Sequence, residues 1–186
     1  MAKKPRCGLS GKVKFLHFQN DPDSDRWFAI KRPITFIQKI FQTGNNISTY
    51  VEYYRKNFEI SKKVGDHPNF MKVHGITVKK VKNGTRVKPY MILEYIQGRT
   101  LNEIEDLDDR EKAYLFKQLK SALIHLYRLK ILPMDANYGN FLITDDLTLK
   151  LIDFDAWQEG DAVSSEDLGM GLLHIAERFA KSALRS

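Results

Sequence analysis

The spacing of apolar and polar positions changes period twice along this chain. Near the start it alternates, as VKFLHF over 13–18 and RWFAIKR over 26–32, around a polar DPDSD stretch at 21–25; this predicts a β-hairpin. Over 46–64 the apolar residues Ile47, Val51, Tyr54 and Phe58 recur at helical spacing, with Asn46 or Ser48 available to cap the first turn. Alternation returns at 70–81 and 87–94, split by Asn83–Gly84, the strongest short hairpin signal there is. The clearest helix lies at 109–129, where Tyr114, Leu115, Leu119, Leu123 and Leu126 share one stripe. Short strands at 141–144 and 149–154 flank a turn at Asp145–Asp146, and a last helix begins near Glu166. A strand-rich beginning with one helix, followed mainly by helices, is an α+β order. No internal repeat or low-complexity tract interrupts it.

Composition narrows the class. Of 186 residues 42% are apolar and 11% aromatic, enough to build a core and far from a disordered profile. A single cysteine, Cys7, excludes an internal disulfide framework and suits a reducing compartment. No run reaches the ~20 apolar residues that span a bilayer, and the MAKKPRCGLSGKVKF start lacks the apolar segment of a secretory signal. A cytoplasmic, monomeric protein without membrane contact is expected. The net charge of +7 is uneven: residues 1–14 carry five Lys/Arg and no acid, residues 55–89 carry ten against two acids, and 101–111 is acidic. Basic clusters of this kind are more often solvated faces or small-anion sites than nucleic-acid surfaces, so nucleic acid is not the expected partner.

Four signals that carry chemistry follow one another. Gly8-Leu9-Ser10-Gly11-Lys12-Val13 precedes a strand; glycines there let backbone N–H groups approach a phosphate without obstruction from Cβ, although two glycines three apart usually mean only a turn. Next comes Phe28-Ala29-Ile30-Lys31, whose lysine would ordinarily snorkel to solvent but lies one hairpin after the glycines. A phosphate-pairing lysine needs a carboxylate to aim it. Glu59, on the helix just before His67-Pro68-Asn69, is the expected partner, with Glu52 two turns away as the substitute. The third signal is Met134-Asp135-Ala136-Asn137-Tyr138-Gly139-Asn140, and the fourth Leu151-Ile152-Asp153-Phe154-Asp155. Asp- and Asn-rich stretches are ordinarily turns. Phosphoryl transfer, however, needs a carboxylate to aim the acceptor hydroxyl and hard oxygen donors for Mg²⁺. Asp135 suits the first task, and Asn140 and Asp153 the second.

In this order and spacing, the four signals resemble the protein-kinase family over residues 6–180. The resemblance implies a minimal bilobal protein-kinase-like fold in one domain. A small antiparallel sheet plus one helix would form an N-lobe (1–95) and a truncated helical C-lobe would follow (96–186), the two meeting near 94–98. It implies ATP and Mg²⁺ as cofactors. Gly8, Gly11, Val13, Ala29, Lys31, Leu93, Glu94 and Ile96 would contact the nucleotide, with Leu93 as gatekeeper and the backbone of Glu94 to Ile96 facing adenine. Asp135, Lys31 and Glu59 would be catalytic; Asn140 and Asp153 would hold the metal. The partner would be a protein with a Ser/Thr acceptor.

Departures from the family pattern sharpen the expectation. Arg6 replaces the first loop glycine, Pro133-Met134 stand where His-Arg usually precede the catalytic Asp, Asn137 stands where a lysine is usual, and Asp155 replaces a glycine. About a dozen residues separate Asp155 from Glu166-Asp167-Leu168-Gly169, which leaves no room for an activation loop and implies constitutive activity. The shortness resembles the minimal effector kinases that bacteria inject into host cells, some acting on chaperones or ubiquitin-pathway proteins; a secreted, host-cytosolic location would follow. Such effectors usually carry a disordered leader, whereas here the phosphate loop begins by residue 6. The small Bud32-type atypical kinases are equally short. Aminoglycoside and choline phosphotransferases share an IDFD-like metal motif but carry a large helical substrate domain. A nucleotide-binding pseudokinase is the non-enzymatic alternative.

Overall fold

The structure, a computed structural model, describes residues 6–7, 11–17, 27–33, 47–81, 86–104, 106–133, 137–154, 157–160 and 164–183. Its contacts form two units. One comprises the residues up to Lys62 together with Lys72–Tyr95; the other comprises Lys63–Met71 and the residues from Ile96 onward.

The first unit is a five-stranded antiparallel sheet and most of one helix. In chain order these are β1 (Arg6–Cys7), β2 (Gly11–His17), β3 (Trp27–Pro33), α1 (Ile47–Val64), β4 (Val73–Val81) and β5 (Arg86–Glu94). The sheet order is β1-β2-β3-β5-β4. The pleat alternates side chains between faces: Ala29, Lys31, Met91 and Leu93 are buried, while Ile30 and Ile92 between them are only partly covered. Register sets Ala29 opposite Leu93 and Lys31 between Val13 and Met91. The turns expected at 21–25 and 83–84 lie outside the described residues.

The second unit begins with β6 (Gly98–Thr100) and continues through α2 (Asp109–Leu129), β7 (Ile131–Pro133), β8 (Phe141–Thr144), β9 (Leu149–Leu151), β10 (Trp157–Glu159) and α3 (Ser165–Ala183). Helix α2 starts where its acids dictate. Asp108 accepts the Glu111 N–H at 2.8 Å while Glu111 Oε2 accepts the Asp108 N–H at 2.9 Å, a capping box that explains part of the acidic run. It ends on Lys130 in the left-handed region (φ 54°), whose N–H reaches the carbonyls of Leu126 and Tyr127. Leu115, Leu119, Ala122 and Leu126 are fully covered on one stripe. Tyr114, expected on that stripe, is instead 52% exposed. A second apolar stripe of Phe116, Ile124 and Tyr127 is also exposed and, with Leu173 of α3, lines a groove of about 610 Å³.

Two expected strands prove shorter. Residues 70–71 leave the sheet of the first unit: Phe70 bridges Leu151 in parallel, and Met71 donates its N–H to the Leu151 carbonyl at 3.0 Å. The segment expected as 149–154 is a strand only to Leu151, because Asp153 turns the chain. Pairing of β7 with β10 and of β6 with β8 supplies short strands that periodicity does not reveal.

Candidate active site

Lys31 sits on β3 among apolar neighbours and is only 6% exposed, so the hairpin puts a cation inside the unit rather than letting it snorkel. The partner expected for Lys31, Glu59, lies on helix α1. The inward stripe of α1 is Tyr54, Asn57, Ile60, Ser61 and Val64. Glu59 lies on the exposed side and takes Lys62 Nζ at 3.4 Å; Glu52 is exposed too and pairs with Arg55 at 3.1 Å. Both carboxylates thus have an ion-pair partner within α1.

At the end of β5, Leu93 is buried, and Glu94 is tied on both sides to Lys72. The Glu94 N–H reaches the Lys72 carbonyl at 2.9 Å, and its Oε2 accepts the Lys72 N–H at 2.9 Å. The Glu94 N–H is thus committed within the protein. Tyr95 packs edge-on against Phe15 (5.3 Å) and beside Trp27 (5.9 Å), anchoring the connecting segment to β2 and β3. The units divide between Tyr95 and Ile96, and Ile96 is partly covered. Gly98 then pairs with Thr144, and a Cβ there would come 2.6 Å from the Ile143 carbonyl oxygen. Only glycine allows so close an approach. Gly11 and Val13 lie on β2, and Gly8 lies outside the described residues.

In the second unit, Asn140 and Asp153 come together through backbone pairing. Asn140 closes the 3₁₀ turn Tyr138–Asn140 at the start of β8, and its carbonyl accepts the Ile152 N–H at 2.9 Å. Asp153 is therefore next to the residue that Asn140 pairs with. It holds a φ of 70°, a conformation that non-glycine residues adopt at a cost on the order of 1–3 kcal/mol and that concentrates at functional sites. The following ring fixes this bend: Phe154 is buried and meets Trp157 edge-on at 4.7 Å, and Trp157 pairs with Pro133. Asp135, Asp155 and Met134 lie outside the described residues, bracketed by Pro133 and Asn137 and by Phe154 and Trp157.

Among the described residues no group of three or more His, Cys, Asp or Glu is arranged to hold a metal. A carboxylate and an amide carbonyl still fit Mg²⁺, which keeps several waters and takes its remaining oxygens from substrate phosphates. The 610 Å³ groove between α2 and α3 offers only Lys120 and Arg128 as charged lining and is not where this chemistry gathers.

Polar residues outside the four motifs support the second unit. Buried Asn69 donates to Gln118 Oε1 and to the Leu149 carbonyl, both at 2.8 Å, while Gln118 Nε2 donates to the Leu147 carbonyl at 2.7 Å. His67 Nδ1 accepts the Asn69 N–H at 3.3 Å, and its ring stacks on His125 at 4.8 Å; His125 Nε2–H donates to the Val64 carbonyl at 2.8 Å. Burial, and secondarily His125, depress the His67 pKa. The unfolded chain thus takes up a proton at His67 more readily than the native one. Stability from this group is complete above the ordinary value of 6.5 and is lost as pH falls from there through the depressed native value. Urea midpoints at pH 7.5 and 5.5 are expected to differ less in His67→Gln than in the unmodified protein.

Comparison with known proteins adds to this geometry. Residues 24–168 match the protein kinase domain. The chain is 28% identical over 149 residues to the serine/threonine-protein kinase cds1 of Schizosaccharomyces pombe, covering 78% of this chain and 30% of that protein. It is 28% identical over 149 residues to Aurora kinase A-A of Xenopus laevis, covering 77% and 33%. Over 93 residues it is 34% identical to CTD kinase subunit alpha of Saccharomyces cerevisiae, covering 48% and 17%. The chain thus spans a third or less of the length of these relatives. Among the described residues no helix is long and apolar enough to cross a membrane. With a five-stranded antiparallel sheet and one helix ahead of a mainly helical unit, and most of its residues matching the protein kinase domain, this chain belongs to the protein kinase family.

Proposed function

We propose that the chain is an ATP-dependent phosphotransferase of the serine/threonine protein kinase type. The observation that carries this reading is the alignment of Asn140 with the strained Asp153 at the ends of β8 and β9, an oxygen pair suited to Mg²⁺ on nucleotide phosphates. Lys31, held in an apolar setting by β2 and β5, pairs with the phosphates. Gly8, Gly11 and Val13 border them, while Ala29, Leu93 and the backbone of Glu94 to Ile96 receive the base. Asp135 accepts the acceptor hydroxyl's proton as its oxygen bonds to the γ-phosphorus and ADP departs. Bound Mg²⁺ supplies charge neutralisation on the transferring group. The positions of Glu52 and Glu59 assign neither the aiming of Lys31.

The chain between Asp155 and Asp167 is too short for an activation segment, so activity without prior phosphorylation is part of the reading. Its narrowest form is a bacterial effector modifying host proteins such as chaperones. The test is incubation with γ-labelled ATP and Mg²⁺, with a eukaryotic lysate or a panel of hydroxylated metabolites as acceptors. Label on protein Ser/Thr, lost at least about 10²-fold in Lys31→Met, is the expected result. Label on metabolites alone would instead make it a small-molecule kinase, and nucleotide binding without transfer a pseudokinase.

A further inference from the structure

We infer that Asn137 is a positioning residue for the metal site: its side-chain carbonyl locks the turn that delivers Asn140. This rests on reading Asn140 and Asp153 as Mg²⁺ ligands. Asn137 Oδ1 accepts the Gly139 N–H at 2.9 Å, and the Asn137 backbone carbonyl accepts the Asn140 N–H at 2.9 Å. The first bond is an Asx turn, in which a side chain two residues back imitates the backbone. The second closes the 3₁₀ turn across the same residues. Gly139 is held tightly against this clamp, since a Cβ there would lie 3.1 Å from Asn137 Oδ1. Asn140 in turn accepts the Ile152 N–H at 2.9 Å, immediately before Asp153. One side-chain oxygen therefore begins a run of backbone bonds that ends beside the second ligand.

An acceptor is what this geometry requires. Lysine, the residue usual at this position in the family pattern, has three donors and no acceptor, so it cannot close the Asx turn. Alanine cannot either. Aspartate can, because its carboxylate oxygen occupies the same place as Oδ1. The chain has thus replaced a cation with a brace, and the brace acts on the metal through Asn140 rather than on the phosphate directly.

The experiment is calorimetry of ATP binding to the full chain over a series of Mg²⁺ concentrations, which reads metal half-saturation without turnover, together with amide hydrogen exchange at Gly139. In the unmodified protein the Gly139 amide is expected to be protected. Asn137→Ala and Asn137→Lys are expected to lose that protection and raise the Mg²⁺ half-saturation by about 5–10-fold, the scale of one hydrogen bond. Asn137→Asp is expected to restore protection and bring the half-saturation back to near the original. Exchange at Gly139 as fast as in an unstructured peptide overturns the proposal even if no variant folds. An unchanged half-saturation in Asn137→Ala overturns it as well, provided Asp153→Ala raises it. If Asp153→Ala has no effect either, the metal-site reading itself falls and takes the proposal with it.

Discussion

Asp153→Ala is expected to lose Mg²⁺-dependent nucleotide binding and phosphoryl transfer together. The carboxylate is carried on a bend with a φ of 70°, followed by the Phe154–Trp157 contact. If Asp153 and Asn140 hold Mg²⁺ as proposed, the variant would lose the charged member of that pair, and with it charge stabilisation worth several kcal/mol. That corresponds to a rate loss on the order of 10²-fold or more. Calorimetry of Mg·ATP binding and a turnover assay on the same preparation measure both effects. A variant that retains full transfer would exclude Asp153 as a metal ligand.

Asp135→Ala is expected to separate what Asp153→Ala joins. Asp135 follows β7 in the sequence, five residues ahead of Asn140, and its proposed task concerns the acceptor hydroxyl rather than the nucleotide. Mg·ATP affinity should change little, while transfer should fall by the ~10²–10⁴-fold typical of a positioned acid–base group. The same two measurements test it. If nucleotide binding disappears along with transfer, the division of labour between the two carboxylates is wrong.

Much of the fold could be read from residue periodicity, and the failures have definite causes. Helix α2 was bounded correctly at 109–129 because its capping acids and its glycine-free apolar repeat act locally. Leu115, Leu119, Leu123 and Leu126 face inward, but Tyr114 is exposed, because an apolar repeat does not mark which of its aromatic members the fold covers. The exposed side of α1 on which Glu59 lies was hard to read for a related reason. The inward stripe of α1 includes two polar residues, Asn57 and Ser61, which an apolar pattern passes over, and one residue along a helix turns a side chain by about 100°. The short strands β7 and β10 were not legible because three residues carry no period and their partner is more than twenty positions away. At the candidate site, Lys31, Asn140 and Asp153 stand out in the sequence because their motifs are local, and the roles proposed for them rest on those motifs together with the burial of Lys31 and the Asn140–Ile152 backbone bond. The side-chain bond of Asn137 was not legible, since an asparagine in a turn shows its bond only once the turn is built.

The backbone of Asp153 has a meaning for how this protein can change over generations. A residue held at φ 70° strains the chain, and glycine at the same position would relieve that strain. Selection for durability alone would therefore drift toward glycine here and toward a firmer protein that has lost its carboxylate. Variants enriched in a screen that rewards only thermal survival should include this replacement, and their melting temperature would rise as their usefulness to the cell declined. An acidic side chain held at this conformational cost is what the proposed metal role would account for.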